Sequence, residues 1–111
     1  MALVVVDAEN VRRSSWPNLT REDVLARARA WARRDGHDLL VVFDGPAPEQ
    51  EQDARGSAHA DDEIAAVFEG LDGPAWLVTS DRGLRTRVGD RAERVIGGGT
   101  FVRTLQDLTP S

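Results

Sequence analysis

The sequence predicts one α/β domain over residues 1–111, with an open, mostly parallel sheet of four or five strands and helices on both faces. Its 111 residues are the size of an ordinary domain, and 41% are hydrophobic while 30% are charged, as in folded globular proteins. Short apolar runs alternate with segments of helical spacing in the order strand, helix, strand, helix, strand, helix, strand. That alternation is typical of right-handed βαβ units in a parallel sheet.

In the first half of the chain, the pattern of apolar residues predicts two buried strands and a helix between them. Residues 2–6 and 38–43 are apolar runs rich in valine and leucine, which is typical of strands covered on both faces. Thr20 provides a helix N-cap, apolar residues follow at helical spacing, and Gly36 ends the helix. Residues 45–60 are rich in Pro, Gly, Glu and Gln, so we expect a polar surface loop without an apolar strand.

In the second half of the chain, the same kind of pattern predicts shorter helices and strands. Residues 61–69 carry apolar residues at helical spacing, and residues 75–79 form the third apolar strand. Ser80 is expected to cap a short helix, and residues 94–96 form a fourth strand. A final strand or turn is expected at residues 100–102, with a short helix directly after it.

The composition excludes several kinds of chemistry. The fourteen Lys and Arg residues are all arginine, and the chain has no cysteine. Lysine Schiff bases, lysine phosphate clamps, thiol catalysis, disulfides and cysteine-bound zinc are therefore excluded. The formal net charge is −5, but the excess acid lies between Asp44 and Asp72, and the rest of the chain is mildly basic. The net charge therefore does not exclude a nucleic-acid partner.

The apolar runs are short, which bears on the cellular location. None reaches the roughly 18 residues needed to cross a bilayer, so no membrane segment is predicted. The run at residues 2–6 meets Asp7 directly and has no basic stretch before it, so it does not resemble a signal peptide. We therefore expect a cytoplasmic protein.

Acidic residues are placed where the predicted elements meet one edge of the sheet. Five of them follow a strand or begin the helix after one: Asp7, Asp44, Asp61, Asp62 and Asp81. Because the carboxyl ends of parallel strands lie together, these carboxylates are expected to converge, with Asn10 nearby. Clustered carboxylates repel unless protons or a cation offset their charge, and oxygen donors favour Mg²⁺ or Mn²⁺ over zinc. A metal at this edge predicts phosphoryl chemistry.

Four other phosphoryl-transfer sites do not match the residues. Haloacid-dehalogenase-type phosphatases need an Asp-x-Asp pair after the first strand, where this chain has Asp7-Ala8-Glu9. Receiver domains need a lysine, which is absent, and the Asp-x-Asp pair of Toprim domains is missing as well. The run Gly97-Gly98-Gly99 is not followed by the Lys-Ser/Thr of a P-loop.

Five segments, taken in order, resemble the YacP-like NYN domains. They are Asp7-x-x-Asn10-Val11, Trp16-Pro17, Val42-Phe43-Asp44-Gly45, Ala60-Asp61-Asp62-Glu63-Ile64 and Val78-Thr79-Ser80-Asp81-Arg82. That family consists of PIN-like ribonucleases with a Rossmann-like fold and an acidic Mg²⁺/Mn²⁺ site, and the resemblance extends from residue 2 to about residue 108. In relatives an additional β-rich stretch precedes the Ala-Asp-Asp helix, whereas residues 46–60 here predict no strand.

The resemblance implies a site and a reaction. The implied catalytic residues are Asp7, Asp44, Asp61, Asp81 and Asn10. Metal binding is implied for Asp7, Asp61 and Asp81, with Asp44 and Asp62 as nearby or water-bridged ligands. Asn10 would orient a ligand or a phosphate oxygen, and metal-activated water would attack a phosphodiester bond of RNA, which we expect to be single-stranded.

Arginine and tryptophan side chains beside the acidic residues are candidates for substrate contact. Together with Asn10, the set is Arg12, Arg13, Trp16, Arg82 and Arg85. Arg82 adjoins Asp81 and could contact a phosphate, and Trp16 could stack on a base or instead cover the next helix. Two other functions stay open. One is a non-catalytic RNA- or ribosome-binding module, and the other is a small metal-dependent phosphatase or nucleotidase.

Overall fold

The computed structural model describes residues 2–49 and 51–107. Its strands are β1 (Leu3–Asp7), β2 (Asp38–Asp44), β3 (Ala54–Ser57), β4 (Ala75–Val78) and β5 (Arg94–Ile96). Its α-helices are α1 (Ala8–Arg13), α2 (Arg21–Asp35), α3 (Ala60–Glu69), α4 (Arg82–Val88) and α5 (Gly98–Asp107), with a 3₁₀ turn at Gly89–Arg91. The sheet has the order β3-β2-β1-β4-β5, and every neighbouring pair is parallel. The predicted fold class is confirmed.

β1 lies at the centre of the sheet because it is apolar on both sides. Val4 and Val6 pack in a core with α1, α2 and α5, whereas Val5 packs with α3 and α4 on the opposite face. All three valines are fully buried, so each contributes about 1.5–3 kcal/mol of hydrophobic stabilisation. The central position of β1 places Asp7, its last residue, in the middle of the carboxyl edge.

α2 begins and ends at the residues that the sequence predicts. The Thr20 hydroxyl accepts a hydrogen bond of 3.0 Å from the backbone N–H of Asp23, and Gly36 ends the helix with a φ of 72°. The short helix α1 was not predicted, because six residues with only Ala8 and Val11 buried show no clear helical spacing. No helix in the described part of the chain is long and apolar enough to cross a membrane.

The prediction of a strandless loop at residues 45–60 was wrong, because this segment contains the edge strand β3. β3 pairs in parallel with β2, and Ala54 is the buried residue among its four. An edge strand is held by backbone hydrogen bonds on one side, so it does not need an apolar run. Just before it, Arg29 of α2 donates two hydrogen bonds of 2.8 Å to the Asp53 carboxylate and fixes the segment.

The cap of α4 also differs from the prediction. Asp81, not Ser80, is the N-cap residue, and its carboxylate accepts a hydrogen bond of 3.0 Å from the backbone N–H of Leu84. Either side chain can cap a helix, and the backbone leaves the extended conformation one residue later than the sequence suggested. The consequence is that an acid of the carboxyl edge is held at the start of α4.

The prediction of a strand or turn at residues 100–102 was wrong as well. These residues belong to α5, which starts at Gly98, before the expected short helix. Phe101, Val102 and Leu105 form one buried face at helical spacing. The three glycines before residue 100 suggested a turn, because glycine is a poor helix former. The short apolar pattern after them was too weak to indicate a helix.

The loops at the amino ends of the strands form the edge of the sheet opposite Asp7. One of them joins α3 to β4, and residues 72–74 within it are exposed. Its last residue, Pro74, is held to the sheet through its carbonyl oxygen, which accepts a hydrogen bond of 3.2 Å from the backbone N–H of Leu3.

Candidate active site

A cleft of about 470 Å³ opens at the carboxyl edge of the sheet. Six acids line it: Glu9 of α1 and the five aspartates Asp7, Asp44, Asp61, Asp62 and Asp81. β1 and β2 each end in one of these acids, α3 carries two in its first turn, and α4 has one as its N-cap. The structure therefore brings together all five acids that the sequence placed at this edge.

Asp7 is the most enclosed acid of the cleft, with 7% of its surface exposed. Its carboxylate accepts a hydrogen bond of 2.9 Å from Thr79 Oγ1 and another from the backbone N–H of Asn10. Burial raises the pKa of Asp7, and the charges of Asp61 and Asp81 raise it further, so the two hydrogen bonds offset the increase only in part. A cation or a proton beside Asp7 is therefore favoured.

Asp61 is positioned on the same cleft by α3. Partial desolvation raises the pKa of Asp61, the charges of Asp81 and Asp44 raise it further, and Arg87 opposes these effects. Acids from separate elements are thus close enough to raise the pKa of Asp61. This mutual repulsion is what a bound divalent cation would relieve.

Two other acids of the cleft are paired with arginines. Arg87 Nη1 donates a hydrogen bond of 2.7 Å to Asp62 Oδ1 and lowers the pKa of Asp62. Burial alone would raise the pKa of Glu9, but hydrogen bonds from Arg12 and Arg21 outweigh it and lower that pKa. The negative charges of both acids are therefore already offset within the protein.

The arginines predicted to contact substrate occupy different positions. Arg13 lines the cleft, and its Nε lies 3.9 Å from the Glu9 carboxylate. The Arg12 guanidinium donates hydrogen bonds of 3.0 and 3.1 Å to Glu9, so it is held in an ion pair rather than presented to a ligand. Arg82 and Arg85 are exposed on α4 and do not line the cleft.

Trp16 lies in the connection between α1 and α2, and the peptide bond between Trp16 and Pro17 is cis. It is 91% exposed. A side chain with that exposure buries little surface against the protein, so it does not serve mainly to cover the start of α2. Trp31, in contrast, is buried in the core, and Trp76 is half-buried.

Asn10 lines the cleft but also has a partner within the protein. Its Oδ1 accepts a hydrogen bond of 2.8 Å from the backbone N–H of Ser80. The resemblance implied that Asn10 orients a ligand or a phosphate oxygen. In the structure, its side-chain oxygen holds the loop that follows β4.

Thr79 is a site residue that the sequence reasoning missed. It is fully buried, and its Oγ1 donates to Asp7 while accepting a hydrogen bond of 3.1 Å from the backbone N–H of Asp81. One hydroxyl therefore bridges two of the cleft acids. The available signal was a hydroxyl residue between an apolar strand and an acid, because a buried polar group there needs partners.

The cleft fits a hard divalent cation by donor type and charge. Among residues 2–49 and 51–107, no three Asp, Glu or His side chains are grouped so that they could hold a metal ion as placed. Mg²⁺ takes one or two protein carboxylates and keeps several waters, so it does not require such a group. The cleft supplies carboxylate oxygens. Burial raises the pKa of Asp7 and of Asp61, and the charges of neighbouring acids raise both further, which favours a cation beside them.

The fold and this cleft define the class of protein as a single α/β domain of Rossmann-like, PIN-like architecture. No protein-family model and no curated protein matches the sequence. Among solved structures, the chain is similar to a mutant of Rae1 (YacP) from Bacillus subtilis, with a TM-score of 0.79 and 16% sequence identity. The match covers 96% of this chain and 76% of that one. At this identity, the similarity shows the shared fold.

Proposed function

We propose that the protein is a metal-dependent ribonuclease that hydrolyses phosphodiester bonds of single-stranded RNA at the acidic cleft. The observation that carries the proposal is the convergence of Asp7, Asp61 and Asp81 at one cleft, where burial raises the pKa of Asp7 and the charges of the other two acids raise it further. The PIN-like fold and the five motifs that resemble YacP-like NYN domains support it.

Asp7, Asp61 and Asp81 are the residues that would hold Mg²⁺ or Mn²⁺, one or two of them as direct ligands and the rest through bound water, with Asp44 and Asp62 nearby. A divalent cation bound there supplies the charge that activates water and stabilises the leaving oxygen. Among the chain's own residues, Thr79 fixes the position of Asp81 relative to Asp7. Its hydroxyl group donates to the Asp7 carboxylate and accepts from the backbone N–H of Asp81.

Basic and aromatic residues around the cleft would bind the RNA strand. Arg13 in the cleft wall is the best placed of them to meet a phosphate, and Arg82 and Arg85 are exposed on α4, outside the cleft lining. Trp16 presents an exposed ring on which a base can stack, and such stacking favours unpaired over paired bases. A single-stranded substrate follows from that preference.

The test is cleavage of single-stranded RNA by the wild type and by Asp81→Asn, with Mn²⁺ and with EDTA. Asparagine also caps helices, so Asp81→Asn removes a charge from the cleft while keeping the start of α4. We expect EDTA to abolish cleavage and Asp81→Asn to lower kcat at least about 100-fold. Asp90→Asn, in the exposed 3₁₀ turn, is the matched control and should cleave as the wild type does. Equal trace activity in the wild type and Asp81→Asn would show that the proposal is wrong.

A non-catalytic RNA-binding module is the second candidate. The observation that favours it is the separation of the cleft carboxylates, since no three of the described acidic or histidine side chains are grouped to hold a metal ion. This candidate predicts that Asp7→Asn leaves RNA affinity unchanged and that Mn²⁺ does not raise the melting temperature. The ribonuclease predicts a Mn²⁺-dependent increase in melting temperature that Asp7→Asn removes.

A further inference from the structure

Two neighbouring helices hold the segment that joins β4 to α4. The backbone N–H of Ser80 donates a hydrogen bond of 2.8 Å to Asn10 Oδ1 on α1. Ser80 Oγ accepts a hydrogen bond of 2.8 Å from the backbone N–H of Gly98, the first residue of α5. We call Asn10, Ser80 and Gly98 the Ser80 junction. It connects α1, α5 and the loop after β4 at one point beside the cleft.

The Ser80 junction leaves no room for a side chain at position 98. Gly98 is buried, and a Cβ added there would collide with Asn10 Oδ1 and lie 2.6 Å from Ser14 Oγ. Ser14 Oγ in turn donates a hydrogen bond of 2.6 Å to the Asn10 carbonyl oxygen. At Gly99 an added Cβ meets nothing nearer than Arg103 Nη1 at 4.0 Å. The need for glycine at position 98 therefore comes from direct contact between α5 and α1.

The Ser80 junction is directly linked to an acid of the cleft. Asp81 follows Ser80, and the peptide plane between the two residues carries the N–H that donates to Thr79 Oγ1 at 3.1 Å. The same Thr79 hydroxyl donates to Asp7. A displacement of Ser80 would therefore shift Asp81 relative to Asp7.

We propose that Ser80 is a positioning residue that couples the docking of α5 on α1 to the location of Asp81 in the cleft. This inference rests on the proposed ribonuclease function, in which the location of Asp81 sets metal affinity and cleavage rate. Asn10 contributes through its side-chain oxygen, which accepts the hydrogen bond that holds Ser80. Residues that orient a metal ligand in this way typically change affinity or activity by about 10- to 100-fold.

Two pairs of variants separate this role from a general effect on folding. Ser80→Ala removes the acceptor for the Gly98 N–H, whereas Ser80→Thr keeps the hydroxyl group. Gly98→Ala and Gly99→Ala add the same methyl group at adjacent positions, of which only the first contacts Asn10. Gly98→Ala could fail to fold because of that contact, so Ser80→Ala is the deciding variant.

The first measurement is amide hydrogen exchange by NMR without metal, which reports on the junction independently of activity. We expect Ser80→Ala to accelerate exchange at Gly98 and Asp81 about 10-fold, the effect of losing one hydrogen bond. Ser80→Thr and Gly99→Ala should match the wild type. Unchanged exchange at Asp81 in Ser80→Ala would overturn the proposal, whatever the activity.

The second measurement is Mn²⁺ affinity together with cleavage of single-stranded RNA. We expect Ser80→Ala to lower kcat and Mn²⁺ affinity about 10- to 100-fold while KM for RNA stays within about twofold, and Ser80→Thr to restore both. Faster exchange with unchanged kcat and Mn²⁺ affinity would also overturn the proposal. If the wild type neither binds Mn²⁺ nor cleaves RNA, the proposed function fails, and exchange at Asp81 alone decides whether the junction holds that residue.

Discussion

Replacing Thr79 by valine tests the hydroxyl that connects two acids of the cleft. Valine has nearly the same shape, so Thr79→Val removes a donor to Asp7 at 2.9 Å and an acceptor for the Asp81 N–H at 3.1 Å without opening a cavity. A hydrogen bond to a charged group is worth about 1.5–3 kcal/mol and a neutral one about 1 kcal/mol. The free energy of unfolding should therefore fall by about 3 kcal/mol.

Urea and thermal unfolding of Thr79→Val measure this loss. For a domain of this size, about 3 kcal/mol corresponds to a decrease in melting temperature of roughly 12 °C. Thr86→Val is the matched control, because Thr86 is exposed on α4 and its replacement should change stability by less than about 0.5 kcal/mol. A loss below about 1 kcal/mol in Thr79→Val, or an equal loss in both variants, would refute the reasoning.

The loss should also depend on pH, because Thr79 lowers the pKa of Asp7 against burial. The folded-state pKa of Asp7 lies above its ordinary value of 3.8, so ionised Asp7 costs stability. This cost in stability is absent below pH 3.8, and it grows as the pH rises from there through the folded-state pKa of Asp7. Without the Thr79 donor the cost is larger, so the stability difference between wild type and Thr79→Val should increase from about pH 4 to pH 8. An equal difference at both pH values would show that Thr79 does not act through Asp7.

Three further predictions concern charge, the edge strand and RNA contact. Asp7→Asn should abolish cleavage. At pH 7.5 without metal it should nevertheless raise the melting temperature, because a buried charge is removed. A lower melting temperature would contradict this. Arg29→Met should lower the free energy of unfolding in urea by about 1–2 kcal/mol through loss of the pair with Asp53, while Arg33→Met, on the exposed face of α2, should not. Trp16→Ala should raise KM for single-stranded RNA about 10-fold at unchanged melting temperature, and an unchanged KM would exclude base stacking.

Elements with an apolar pattern of their own could be predicted from the sequence. β1 and β2 are continuous apolar runs buried on both faces, so their position and the acids at their ends follow directly. β3 could not be predicted, because an edge strand is held by the backbone of its neighbour and needs little apolar surface. The hydrogen bonds from Thr79 to Asp7 and from Ser80 to Asn10 span 72 and 70 residues of sequence, so no local pattern reveals them. Sequence therefore predicted which acids meet, but not which neutral groups hold them.

Because the five strands are parallel, the acidic cleft and the loop best suited to accept an insertion lie at opposite edges of the sheet. The acidic cleft lies at the carboxyl ends of the strands, whereas the loop between α3 and β4 lies at their amino ends and is exposed at residues 72–74. Foreign sequence is best accepted at exposed loop tips. A fluorescent reporter or an affinity handle inserted after Gly73 would therefore follow the protein in a cell without obstructing the cleft.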